Sequence, residues 1–181
     1  MFTSLPVHPD PAIEGAIAAS CQSLAGMQAF AEQCSDALNA GHSAGDLRGM
    51  NTNDYEALYA VALKLFNAAD YERALPVSLA LVAHEARSVK YAYLAGLCLQ
   101  QLKRHREAAV MYLLALGQDA THAPSAFRMG ECCAALGEDE ASRQAYEHAV
   151  ELGRGDERYR HLQSEALARV QRGASPFLTA T

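Results

Sequence analysis

The chain has no tryptophan, and only 7% of its 181 residues are aromatic. Its apolar half is rich in alanine and leucine, which suits closely packed helices rather than a core built on large rings. No apolar run approaches the roughly 20 residues that a membrane span requires, so no direct membrane association is expected. No basic stripe is present. The 15 Lys and Arg are interspersed with 21 Asp and Glu, giving a net charge of −6, which disfavours nucleic acid as a partner. The N-terminus lacks the basic region and apolar stretch of a secretory signal, so a cytoplasmic location is expected. The five cysteines (Cys21, Cys34, Cys98, Cys132, Cys133) form no CxxC pair, and their count is odd. Buried, reduced thiols are the expected state. The seven histidines fall in no HExxH or Cys/His ligand spacing, and no glycine-rich loop follows a strand pattern. Catalysis, a metal site and a cofactor are therefore all unexpected, because no residue set supplies a nucleophile, a base and an orienting group together.

What is present is a repeat. Ala62, Gly96 and Gly130 are spaced by 34 residues. Ala74, Ala108 and Ser142 keep the same phase, as do Ser78, Tyr112 and Tyr146, and then Leu81, Ala115 and Ala149. That period, with small and large residues in fixed columns, is the pattern of the tetratricopeptide repeat. The predicted fold is all-α: three tandem repeats forming a right-handed α-solenoid, with an N-terminal helix and a C-terminal capping helix. Repeat one covers 55–88, repeat two 89–122 and repeat three 123–156, with A-to-B turns near Ala69-Asp70, Lys103-Arg104 and Gly137-Glu138. A larger side chain at the small positions would push the two helices apart, at about 1–3 kcal/mol. Pro76 inside the second helix predicts a bend, and Ser78 stands where its column has tyrosine.

Outside the repeats, residues 1–10 read as a flexible arm. Asp10-Pro11 reads as a cap and first residue of a helix over 11–40. Its narrow apolar stripe includes Ile13, Ile17, Cys21 and Leu24, which either folds onto the repeats or forms a dimer interface with a second copy. Residues 41–53, with Gly41, Gly45 and Gly49, read as a linker, and Asn53 with Glu56 as the capping box that opens repeat one. Within the repeat region, 54–156, everything is helical hairpin. Residues 157–172 form an amphipathic cap through Tyr159, Leu162, Ala166, Leu167 and Val170, and 173–181 a disordered tail.

In such arrays the first helix of each hairpin lines the concave wall. Counting from the start of each repeat, positions 2, 5, 9 and 12 face inward. They give Glu56, Tyr59, Leu63 and Phe66, then Lys90, Tyr93, Leu97 and Gln100, then Pro124, Phe127, Glu131 and Ala134. The candidate peptide-binding residues are Tyr59, Leu63, Phe66, Tyr93, Leu97 and Phe127. A groove that grips a C-terminal carboxylate needs Lys and Asn at positions 5 and 9, which here hold tyrosine and leucine. An extended segment with prolines and isolated apolar anchors fits better.

From about Leu47 to Arg172 the chain resembles the class II chaperones of type III secretion systems, which escort pore-forming translocator proteins. The resemblance is carried by 54–60 (DYEALYA), 70–74 (DYERA), 95–98 (AGLC), Pro124, 130–132 (GEC) and 135–138 (ALGE), together with the repeat count and flanking helices. It implies a cytoplasmic chaperone of a virulence-associated system, without ATPase activity. Such a protein holds a proline- and leucine-containing segment of a hydrophobic translocator in its groove until export. It further implies a homodimer through the N-terminal region and, for some members, assistance to a transcription activator. Tyr59, Phe66 and Tyr93 match the family's groove anchors, whereas Ser78 and Ala86 depart from its pattern in repeat one. The competing reading is a tetratricopeptide adaptor or regulatory scaffold for another protein partner.

Overall fold

The computed structural model describes residues 45–173 together with Ala40 and Ser43. The expected arm (1–10), the helix over 11–40 with Ile13, Ile17, Cys21 and Leu24, and the tail from residue 174 lie outside the described residues. In the linker, the turn Asp46–Arg48 is closed by reciprocal bonds, Ser43 N to Asp46 Oδ2 at 2.7 Å and Asp46 N to Ser43 Oγ at 3.1 Å. From Gly49 onward the chain forms one compact unit.

Seven α-helices follow among the described residues: α1 (Thr52–Asn67), α2 (Tyr71–His84), α3 (Val89–Gln101), α4 (His105–Gln118), α5 (Ala123–Ala135), α6 (Asp139–Leu152) and α7 (Arg160–Gly173). Each packs on the next in sequence, and α1 also meets α3 as α5 meets α7. This is the stacking of tetratricopeptide hairpins, with α1, α3 and α5 as first helices and α2, α4 and α6 as second ones. Among the described residues no strand occurs.

The first helix starts earlier than the sequence reading placed it. Asn51, not Asn53, is the N-cap: its Oδ1 accepts from Asn53 N and Asp54 N, and Asp54 Oδ2 accepts from Asn51 N at 2.9 Å. Both Asn-x-x-acid frames are present, and the upstream one lengthens the helix while satisfying its open amides. Pro76 lies within α2, which continues without a break. Its exposed site leaves the unpaired Glu72 carbonyl within reach of water.

Every first helix ends in the same way. Ala69, Lys103 and Gly137 adopt left-handed backbone, at φ 59°, 62° and 75°. They recur with the 34-residue period. In repeat one Ala69 N donates to Phe66 O and Asp70 N to Leu65 O, at 2.9 and 3.0 Å. Lys103 and Arg104 bond to Gln100 and Leu99 in the same pattern, and Gly137 and Glu138 to Ala134 and Cys133. This is the Schellman closure, whose left-handed position favours glycine. Only repeat three has it.

The small columns meet the large ones at the helix crossings. A Cβ on Gly96 would lie 2.6 Å from the Tyr112 ring, and one on Gly130 would lie 2.8 Å from that of Tyr146. In repeat one the equivalent columns hold Ala62 and Ser78, both at 0% exposure: the methyl appears where the ring is missing. Ser78 satisfies its hydroxyl within its own helix, donating to Ala74 O at 2.9 Å. Around these crossings run one core over repeats one and two (Ala62, Leu75, Leu94, Leu99, Tyr112) and another over repeat three and the cap (Phe127, Tyr146, Ala149, Ala166). The cap α7 buries Ala166 and half-buries Leu162 and Val170, but leaves Leu167 46% exposed, so its packed face is narrower than the spacing implied.

Two stability changes follow from this geometry. Lys103→Gly relieves left-handed strain at some entropic cost and is expected to raise unfolding free energy by about 0.5–1 kcal/mol in urea titration. Gly96→Ala drives a methyl into the Tyr112 ring and is expected to lower it by about 1–3 kcal/mol. Neutral behaviour in the second variant would contradict the close crossing.

Candidate functional site

The inner wall is built from α1, α3 and α5. At its first end, Tyr59 on α1 and Tyr91 on α3 lie with ring centroids 5.6 Å apart. The Lys90 ammonium sits 5.0 Å over Tyr59 and 5.2 Å over Tyr91 while pairing with Glu56. The hydrogen bond to Glu56 raises the Lys90 pKa above its ordinary value. Glu56 and Lys90 occupy the same repeat position one period apart, so the charge each brings to the wall is cancelled by the other.

Phe66 packs against Tyr71, ring centroids 5.3 Å apart and planes tilted by 60°. Farther along, Tyr93 lies 5.7 Å from Tyr112 and meets His122 edge-on at 5.1 Å. His122 precedes α5 as its cap, with Nδ1 2.8 Å from Ser125 Oγ. At the far end a polar chain crosses from α4 through α3 to α5. Tyr112 Oη donates to Gln100 Oε1 at 2.8 Å, Gln100 Nε2 to Glu131 Oε2 at 2.9 Å, and Arg128 Nη1 to the same oxygen at 2.7 Å. Burial pushes the Tyr112 phenol well above its usual range, so it remains a donor.

Among the expected peptide-binding residues, Leu63 is 37% exposed, and Tyr59, Phe66, Tyr93 and Leu97 are half-buried with their inner edges packed on the core. Phe127 is corrected by the structure. It is 6% exposed and packs on Tyr146 at 5.4 Å, inside the second core rather than on the open wall. Repeat three instead presents Glu131 and Arg128, so its share of the wall is polar, whereas repeats one and two combine apolar side chains with the Glu56–Lys90 pair and Gln100. The counting rule passed over Arg128 and Tyr91, which lie off its positions. The opposite charges of Glu56 and Lys90, one period apart, were a signal visible in the sequence.

The outer wall carries an apolar surface that the sequence reading did not single out. Val110 and Leu113 on α4 are 55% and 61% exposed. With Leu79 on α2, Val110 and Met111 line a shallow hollow. On α6 the corresponding face is charged, with Glu140, Arg143 and Glu147 in ion pairs. Cys98, Cys132 and Cys133 are free and buried. Burial raises all three thiols, that of Cys132 to about 12, which leaves none of them activated as a nucleophile. Among the described residues no group of side chains could hold a metal ion, and no helix is long and apolar enough to cross a membrane.

Comparison with known proteins bears on the fold. Residues 33–113 match the family model of the anaphase-promoting complex, cyclosome, subunit 3, which covers fewer than half of the residues. No curated protein sequence matches the chain. Solved structures do. A type III secretion complex from Aeromonas hydrophila is similar at TM-score 0.77 and 21% identity, over 79% of this chain and 95% of that one. The Yersinia enterocolitica translocator chaperone SycD is similar at 0.68 and 20%, over 72% and 97%. PcrH from Pseudomonas aeruginosa is similar at 0.68 and 22%, over 71% and 98%. The chain thus has the fold of these chaperones, with three tetratricopeptide hairpins and a cap.

Burial holds the His122 imidazole below its ordinary 6.5, against a smaller opposing pull from Asp119. The unfolded chain therefore takes up this proton first. The stability contribution is present above pH 6.5 and is lost as pH falls through the lowered folded value. His122→Asn is expected to flatten the acid side of the melting-temperature profile relative to the parent. Identical profiles would remove His122 from the acid response.

Proposed function

We propose that this chain is a non-catalytic, cytoplasmic chaperone that holds an extended, uncharged segment of a hydrophobic type III secretion translocator along its inner wall until export. The observation that carries the reading is the half-exposed row Tyr59, Leu63, Phe66, Tyr93 and Leu97 on adjacent first helices, in a fold shared with translocator chaperones. SycD has been solved with a peptide of the translocator YopD, and PcrH with the chaperone-binding regions of PopD and PopB. An alternative dimer of SycD is also known.

The physical logic needs no energy source. A translocator carries membrane-seeking stretches that aggregate in water. Binding one anchor segment in a preformed groove lowers the free concentration of the aggregating form by mass action. Exposed apolar surface of this kind marks a binding face, and a few anchors carry most of the affinity. Because Glu56 pairs with Lys90 and Arg128 with Glu131, a charged guest would have to break an ion pair to find a partner. An uncharged guest leaves both intact. The family-model match, residues 33–113, takes in the first hairpin and most of the second.

Co-expression with a translocator from the same secretion system tests the proposal: its soluble yield should rise and the two proteins should copurify. Tyr59→Ala and Tyr93→Ala are each expected to weaken binding by about 1–3 kcal/mol with helicity retained. Full-strength binding by both folded variants would rule out the inner wall.

A further inference from the structure

Resting on the reading above, we infer that the Gln100–Glu131–Arg128 chain is the part of the groove that recognises the guest's main chain. Glu131 Oε1 accepts one amide N–H of the extended segment, and Arg128 donates to a neighbouring carbonyl.

An extended segment brings an unpaired N–H and C=O at nearly every residue, and each left dry in the complex is costly. Where a guest strand adds to a sheet edge, the host backbone answers these groups. Here the wall is helical, and its backbone bonds are closed within α1, α3 and α5. Side chains must therefore supply the partners.

The wall offers two polar clusters. Glu56 and Lys90 are 52% and 43% exposed, held among the described residues by each other and by the tyrosine faces beneath. The second cluster is different. Glu131 has 19% of its side chain exposed, and one oxygen, Oε2, is fixed by both Gln100 and Arg128. Gln100 is itself fixed by the buried Tyr112 hydroxyl. Among the described residues, Glu131 Oε1 has no hydrogen-bond partner. Arg128 is 38% exposed and interacts with Tyr93 as well as with Glu131, which leaves others of its five N–H groups unspent. A carboxylate acceptor and guanidinium donors thus stand side by side, locked from beneath across two repeats. That pairing is complementary to a peptide unit, which offers one donor and one acceptor and no net charge. Because the groups are already positioned, little ordering entropy is lost on binding.

The test uses overlapping synthetic peptides tiled along the co-expressed translocator, with the tightest binder resynthesised as a series in which each amide in turn is replaced by an ester. An ester removes the N–H and weakens the carbonyl while leaving side chains unchanged. One position is expected to lose about tenfold in affinity for the parent protein. Glu131→Ala should lose a similar factor and be indifferent to the ester at that position, whereas Glu131→Gln, which keeps an acceptor oxygen, should retain much of the affinity. A flat ester series against the parent protein overturns the inference while leaving the groove reading intact, even if Glu131→Ala does not fold. Losses that multiply between ester and Glu131→Ala also overturn it. If no tiled peptide binds the parent, both readings fail.

Discussion

The close approach of a ring to a bare backbone holds this molecule together. The Tyr112 ring lies close against Gly96, and that of Tyr146 against Gly130, so the second and third hairpins each close around an aromatic side chain seated where its partner helix has no Cβ. With the hairpins drawn in so tightly, the first helices can stand next to one another, and side chains one period apart can touch. The contact between Tyr59 and Tyr91 and the bond from Gln100 to Glu131 both depend on that spacing.

Much of this architecture could be read from the residues alone. Four columns in phase identified the hairpins, because a small residue facing a large one is a demand of packing and recurs wherever the packing recurs. The turns were visible for a similar reason: a helix must stop, and Ala69, Lys103 and Gly137 mark where. Side-chain detail was harder. Two Asn-x-x-acid frames compete before α1, and only the geometry shows that Asn51 takes the cap. Phe127 satisfies the counting rule for the open wall, yet its ring is 6% exposed and lies on Tyr146 as Tyr93, one period earlier, lies on Tyr112. A rule based on position cannot see how deeply a ring is covered. The Gln100–Glu131–Arg128 chain depends on rotamers spanning 31 residues of sequence, and the outer hollow depends on which helix faces are left uncovered.

The wall is therefore divided by chemistry. Repeats one and two supply rings and leucines beside one exposed ion pair, and repeat three supplies a carboxylate and a guanidinium already joined. Among the described residues, the groove's Glu56 is matched by Lys90 and its Glu131 by Arg128. Selectivity then comes from shape and hydrogen-bond register more than from long-range attraction, a different arrangement from arrays that seize a terminal carboxylate.

The three hairpins are also unequal. Repeat one combines a non-glycine residue in the left-handed turn, a proline that removes one helical bond and a serine where its siblings seat a ring. In a linear array each module leans only on its neighbours, so weakness at one end is not averaged away. Tyr59 and Phe66 belong to that weakest module. A guest that fills this module therefore also acts as a clasp on the hairpin that its own residues close least firmly.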